Sequence, residues 1–113
     1  MKIVTFGEIM LRLSKHSGQR LFQNGPFDAA YGGSEANVAV SLAQLGDDVE
    51  YVTRVPNNAI GDAALMHLRE LGLNVRHTVR GGKRLGTYYF EPAAAMRGSR
   101  VVYDRDDSSF NTM

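Results

Sequence analysis

Apolar residues in the first thirty positions occur in short runs separated by turn residues. The run KIVTFGE predicts a buried first strand, because Val4 and its neighbours are β-branched. The next run, IMLRLSKH, partly alternates between two sides and suits a half-exposed strand. Residues 17–33 are predicted as a loop or second short strand, with a turn at residues 24–26.

Two stretches with a helical period follow. SEANVAVSLAQLG carries a stripe of small apolar residues, starts at Ser34, a common N-cap type, and ends before Gly46, which suits position C′. NNAIGDAALMHLRELG is predicted as the second helix, with Gly72 just beyond its end. Each helix is followed by a strand-like segment.

A weak internal repeat relates these two units. QLGDDVEYVTRV and ELGLNVRHTVRG both run from a helix end through Leu-Gly to a valine and a strand, at an offset of 26 residues. This alternation implies parallel strands with right-handed crossovers, so the predicted fold class is α/β.

The last two strand-like runs have no helix between them. RLGTYYFEPA and SRVVYDRDD, joined by AAMRG, predict an antiparallel hairpin. A three-stranded parallel sheet with two helices and a hairpin buries little surface for an independent domain. We therefore expect the 113 residues to be the amino-terminal part of a larger protein.

Composition and charge narrow the classes of function. A formal net charge of +1 is too small to indicate a nucleic-acid-binding surface. The lack of cysteine excludes disulfides and thiolate metal sites. No apolar run is long enough to cross a bilayer. MKIVTFGEIM lacks the features of a signal peptide, so we expect a cytoplasmic protein.

Gly32 and Gly33, at the mouth of the first predicted helix, are the first candidate site. The pair suits a tight turn into the helix. It equally suits a ligand contact, because bare backbone lets a small molecule approach the free N–H groups of a helix start. Asn37 lies four residues beyond Gly33, and its amide can donate to and accept from a hydroxyl.

Tyr103 and Arg105 are the second candidate site. They are two residues apart in a strand-like run, so both face one side, where a guanidinium fork beside a phenol suits a carboxylate. Only one of Tyr88 and Tyr89 on the partner strand can share that face. The alternative is that these are solvated residues of an exposed β surface.

YGGSEANVAVSLAQLG resembles the amino-terminal signature of the ribokinase-like, or PfkB, carbohydrate kinases. VTFGEIMLRLS resembles their first strand and lid entry, and RLGTYYFE with VVYDRDDSS is similar to members that phosphorylate 2-keto-3-deoxygluconate. The resemblance implies the front part of a ribokinase-like three-layer fold with a small β-sheet lid. It implies lid strands at about residues 9–30 and 85–107.

The resemblance also implies site residues. In the family, the glycine corner and the asparagine contact the sugar, while lid tyrosines and an arginine bind the keto acid, with the arginine on its carboxylate. These roles fall on Gly33, Asn37, Tyr88, Tyr103, Asp104 and Arg105, with Asp104 contributing backbone. The register of GTYYFE favours Tyr88 over Tyr89.

Two departures from the family pattern matter. Many ring-sugar members carry a sugar-binding aspartate at the position that aligns with Arg12, and an arginine there fits an acidic substrate. The anion hole, catalytic aspartate and nucleotide pocket belong to the family's carboxyl-terminal half. We therefore expect no catalytic, cofactor or metal residue in this segment, and no activity from the 113-residue chain alone.

The expected function is the sugar-binding and lid portion of a kinase that uses ATP and Mg²⁺ on 2-keto-3-deoxygluconate or its galactonate epimer. We expect a homo-oligomer formed through the lid sheet, with no nucleic-acid or membrane partner. Two alternatives remain open: a fructokinase- or ribokinase-like kinase of neutral sugars, and a non-catalytic truncated lid or association module. Arg12 and Arg105 argue against a neutral substrate. Continuation of the gene into a Gly-Ala-Gly-Asp-like stretch would argue against the non-catalytic module.

Overall fold

A computed structural model describes residues 2–16, 19–93 and 98–112. Its elements confirm the α/β class; they are β1 (Lys2–Phe6), β2 (Met10–Lys15), β3 (Phe27–Gly32), α1 (Ser34–Gln44), β4 (Asp48–Val52), β5 (Arg54–Val55), α2 (Ala59–Glu70), β6 (Val79–Arg80), β7 (Thr87–Glu91) and β8 (Arg100–Asp104). The predicted AAMRG connection between the last two strands falls mainly on residues 94–97, outside the described residues.

Parallel ladders form the α/β part, as the repeat predicts. β1 pairs with β4, and β5 pairs with β6, both in parallel. Asn74 adds a parallel bridge to Glu50. The two predicted strands that follow the helices therefore each occur as two short pieces.

The two helices bury the predicted apolar stripes and end in the same way. Ala36 and Ala39 of α1 and Leu68 of α2 lie in the core. Gly46 and Gly72 occupy position C′ with φ angles of 96° and 93°, where glycine is favoured. Within the described residues, no helix is long and apolar enough to span a membrane.

Two sequence predictions in this part are wrong. Ser34 is the first helical residue and not the N-cap; Gly33 takes that position, with no side-chain cap. The first strand is only half buried, since Val4 and Phe6 are 59% and 55% exposed. Exposed and half-buried residues alternate along β1, so one face of this strand is not covered by the core.

The remaining four strands form a mixed sheet in the order β3-β2-β7-β8. β7 and β8 form the predicted antiparallel hairpin, with Tyr88 opposite Tyr103. β2 and β7 are parallel neighbours, and Arg12 lies beside Tyr88. Because paired residues of neighbouring strands face the same side, Arg12, Tyr88 and Tyr103 form a row across one face.

Glu50 of β4 is buried between the side chains of Lys2 and His77. Its Oε1 lies 3.1 Å from Nζ of Lys2, and its Oε2 contacts Nδ1 of His77. The hydrogen bond with His77, and then that with Lys2, hold the pKa of Glu50 below its ordinary value. A depressed pKa stabilises the fold at pH values above the unfolded pKa, and this contribution is lost as the pH falls through the folded pKa.

Glu50→Gln should therefore lower the melting temperature by several degrees at pH 7, and the difference should shrink as the pH falls below about 4, the ordinary pKa of a glutamate, and on through the lower pKa of the folded carboxyl. Thermal melts at pH 7 and pH 3 measure this. Glu70→Gln, at an exposed position on α2, is the control and should melt with the wild type. A difference that does not change with pH would contradict the ion-pair interpretation.

Candidate functional site

The chain crosses from the α/β part into the four-stranded sheet at Glu8, and it leaves that sheet after β8. Glu8 is 7% exposed. Ser108, just after β8, donates from Oγ to Oε2 of Glu8 at 2.7 Å. Nη1 of Arg105 lies 3.7 Å from Oε1 of Glu8. The buried Glu8 carboxylate therefore contacts the segment that leaves the four-stranded sheet, while Glu8 itself lies in the segment that enters it.

Glycines make this crossing possible through close approach. A Cβ on Gly33 would overlap the carbonyl oxygen of Glu8, and one on Gly86 would overlap the Glu8 carboxylate. The φ angle of Gly33 is 163°, which is extended backbone open to any residue. Glycine is therefore required at this helix mouth for space and not for a special backbone angle.

A cavity of about 260 Å³ opens at the crossing, slightly below the usual range for small-molecule pockets of roughly 300–1,000 Å³. It brings together Gly33, Tyr103 and Arg105, three of the predicted site residues. The Arg105 guanidinium carbon lies 5.7 Å from the Tyr103 ring centre, so the two share a face as predicted. The other lining residues are Glu8, Met10, Ser34, Glu35, Phe110 and Asn111.

The two adjacent tyrosines of β7 face opposite sides of the sheet. Tyr88 lies against Tyr103, with ring centres 5.7 Å apart. Tyr89 instead contacts Phe27 on the other face, at 5.9 Å. Tyr88 is therefore the one that shares the face of Tyr103 and Arg105.

Arg12 lies on that same face but is directed along the sheet. Its guanidinium carbon is 5.8 Å from the ring centre of Phe90. Phe90 is two residues beyond Tyr88, on the side away from the helix mouth. Arg12 is exposed, and it does not line the cavity that holds Arg105.

The structure does not bring Asn37 or Asp104 into this cavity. Asn37 lines a neighbouring cavity of about 290 Å³, together with Tyr31 and His67. The Asp104 carboxylate lies 3.1 Å from Nη2 of Arg84, and Nη1 of Arg84 donates to the Asp104 carbonyl at 3.0 Å. That backbone oxygen is therefore already engaged.

Two carboxylates, those of Glu8 and Glu35, line the cavity. Burial, followed by the carboxylates of Glu35 and Glu8, raises the pKa of Tyr51 above its ordinary value. Arg105 carries the only positive charge among the described residues that line the cavity. In the described ranges, no group of three or more His, Cys, Asp or Glu could hold a metal ion.

Sequence reasoning missed Glu8, Ser108 and Arg84. Arg84 donates to the carbonyls of Asp104 and Asp106. Glu8 had a signal of its own, because it is a lone carboxylate in the apolar run FGEIM. Ser108 had none, since its partner lies 100 residues away.

Comparison with known proteins assigns this arrangement to a family. Residues 1–113 match the pfkB family carbohydrate kinases. The crystal structure of 2-dehydro-3-deoxygluconokinase from Thermotoga maritima is 53% identical, with a TM-score of 0.96, over all of this chain and 35% of that one. The 2-dehydro-3-deoxygalactonokinase of Haloferax volcanii is 33% identical over 98% of this chain and 35% of its own.

A third relative, the 2-dehydro-3-deoxygluconokinase of Bacillus subtilis, is 29% identical over 97% of this chain and 34% of its own. The chain belongs to the pfkB family of carbohydrate kinases. It spans about a third of the length of these relatives.

The tight contact at the helix mouth predicts the effect of a single methyl group. Gly33→Ala should destabilise the protein by about 1–3 kcal/mol, because the added Cβ would meet the backbone of Glu8. That backbone can move only if the whole connection between the α/β part and the four-stranded sheet moves with it. Gly98→Ala is the matched control, since a Cβ there meets nothing within 4 Å. Urea unfolding compares the two, and equal stabilities would show that Gly33 is not needed for space.

Proposed function

We propose that the full-length protein transfers a phosphoryl group from ATP to a hydroxyl of a 2-keto-3-deoxy sugar acid, in the cytoplasm. Residues 1–113 would supply the sugar-binding part and the lid. Family membership and the names of the three relatives support this proposal. The gluconate and galactonate epimers are both represented among those names.

One observation carries the choice of an acid: Arg105 is the cation of the cavity, next to Tyr103 and open to solvent. Its side chain is 49% exposed, so its fork is accessible to a ligand. A guanidinium binds a carboxylate through two parallel hydrogen bonds, which a neutral sugar does not need.

The other predicted substrate contacts differ in how close they lie to the cavity that holds Arg105. Gly33 would let the sugar lie against backbone, and the Tyr103 hydroxyl would contact its oxygens. Tyr88 would act from beside Tyr103, since it does not itself line the cavity. Arg12 would act from further along the same face. Asn37 and Asp104 stay predictions, since Asn37 lines the neighbouring cavity and Arg84 engages the Asp104 carbonyl.

Phosphoryl transfer depends mainly on positioning and charge stabilisation. In the proposed reaction this segment positions the acid and excludes water, while ATP supplies the phosphoryl group. The described residues offer no cluster that fits Mg²⁺, and we assign no metal or nucleotide ligand among them.

A kinase of neutral sugars is the second candidate, and Glu35 favours it. Carboxylates accept hydrogen bonds from sugar hydroxyls, and Glu8 and Glu35 both line the cavity. An ADP-release assay of the full-length gene product on a panel of sugars and keto-sugar acids separates the two. We expect turnover of the keto-deoxy acids; turnover of fructose or ribose alone would overturn the proposal.

Arg105→Ala should lower kcat/KM for the acid by roughly 30- to 1000-fold, equivalent to about 2–4 kcal/mol, because it removes a charge-assisted pair. Arg105→Lys should recover only part, since a point charge cannot form the fork. An analogue with an alcohol in place of the carboxylate should be affected far less. A change within about twofold for the acid would show that Arg105 does not hold the carboxylate.

The proximity of Glu8 requires a control for that experiment. Arg105→Ala also leaves the buried Glu8 carboxylate without its ion partner, which can be costly in itself. The double variant Glu8→Gln/Arg105→Ala removes that charge as well. We expect it to stay as inactive on the acid as Arg105→Ala; recovery of activity would show that Arg105 serves only to neutralise Glu8.

We also propose that the four-stranded sheet β3-β2-β7-β8, the predicted lid, pairs with a second copy of the chain. In the described residues β8 bonds to β7 alone, so its other edge has free backbone groups that recruit strands. Val101, Val102 and Tyr103 on it are 43–62% exposed. Light scattering should give a dimer mass, and Val102→Lys should weaken it; a monomer at high concentration would contradict the proposal.

A further inference from the structure

We infer that Glu8 is a positioning residue for Arg105: its buried carboxylate fixes the guanidinium at the mouth of the cavity. The inference rests on the proposed function for the identity of the bound group, a substrate carboxylate. It adds a residue to which neither the sequence pattern nor the likeness to known kinases gave a role.

The Glu8 carboxylate is held in one place from several sides. Ser108 Oγ donates to one of its oxygens at 2.7 Å and itself accepts from the Asn111 N–H at 3.3 Å. Gly86 packs so closely against that same oxygen that a Cβ there would overlap it. A carboxylate fixed in this way offers its second oxygen in a constant direction.

Arg105 is tied to the same cluster at both ends. Its backbone carbonyl accepts from the Ser108 N–H at 3.1 Å and from Asn111 Nδ2 at 2.8 Å. Its guanidinium has Glu8, at 3.7 Å, as its ion-pair partner in the described residues. The half-exposed side chain between these ends is long and rich in rotamers, so the Glu8 charge selects among them.

Two effects of removing the Glu8 charge oppose each other. Loss of a negative charge near the cavity would strengthen the binding of an acid by simple Coulomb attraction. Loss of a fixed guanidinium would weaken it, because the fork must then be ordered when the substrate binds. If Glu8 positions Arg105, the second effect is the larger, and the sign of the change in KM decides between them.

The test is Glu8→Gln in the full-length protein, because the glutamine oxygen can still accept from Ser108 while the charge is lost. We expect KM for the keto-deoxy acid to rise on the order of 5- to 30-fold, as when a rotamer-rich arginine loses its preorganisation. We expect kcat to stay within about threefold and KM for ATP to be unchanged. Glu50→Gln, which also removes a buried paired carboxylate, is the matched control and should leave both KM values unchanged.

A merely structural role would give a different result. If Glu8→Gln lowers the melting temperature without changing KM for the acid, or if KM falls, the positioning role is wrong. On an Arg105→Ala background, Glu8→Gln should change KM by less than about twofold, since the residue that it positions is gone. A full additive increase there would also overturn the inference.

Two further measurements keep the inference testable. Should Glu8→Gln fail to fold, Ser108→Ala frees the carboxylate without removing its charge, and it should raise KM in the same direction by roughly threefold; no change would overturn the inference. Should the wild type not phosphorylate keto-deoxy acids, the proposed function fails by itself. The ¹⁵N relaxation of the Arg105 Nε group still tests the role of Glu8. The Arg105 Nε group should be more mobile in Glu8→Gln than in the wild type, and equal mobility would overturn the inference.

Discussion

The close contact between Glu8 and the glycines around it is the constraint on which the rest of the structure depends. Gly33 brings the mouth of α1 against the backbone of Glu8, and Gly86 brings β7 against its carboxylate. Ser108 joins the exit of β8 to the same side chain. The mouth of α1, the four-stranded sheet and the chain that follows β8 therefore meet at one point, and the cavity with Arg105 lies there.

Features set by neighbours in sequence could be predicted from the sequence. Gly46 and Gly72 end the helices as expected, because the backbone angle at C′ is a local property. The Tyr103–Arg105 pair follows from strand alternation, and the hairpin of β7 and β8 follows from two adjacent strand-like runs. These features place three residues, Tyr88, Tyr103 and Arg105, on one face of the candidate site.

Contacts between distant segments that no sequence repeat relates could not be predicted. The parallel pairing of β2 with β7 joins segments more than seventy residues apart and places Arg12 beside Tyr88. Burial of Glu8 becomes favourable only when Ser108 and Arg105 arrive from the other end of the chain. Ser34 is displaced from the N-cap for the same reason, since the crossing at Glu8 puts Gly33 there.

A crystal structure of the full-length protein with bound 2-keto-3-deoxygluconate tests the role of this crossing most directly. We expect both carboxylate oxygens of the ligand at about 2.7–2.9 Å from the Arg105 guanidinium nitrogens. The sugar should lie against the backbone of Gly33, with Glu8 still behind the arginine. A ligand carboxylate held by other residues, with Arg105 in contact with Glu8 alone, would contradict this assignment.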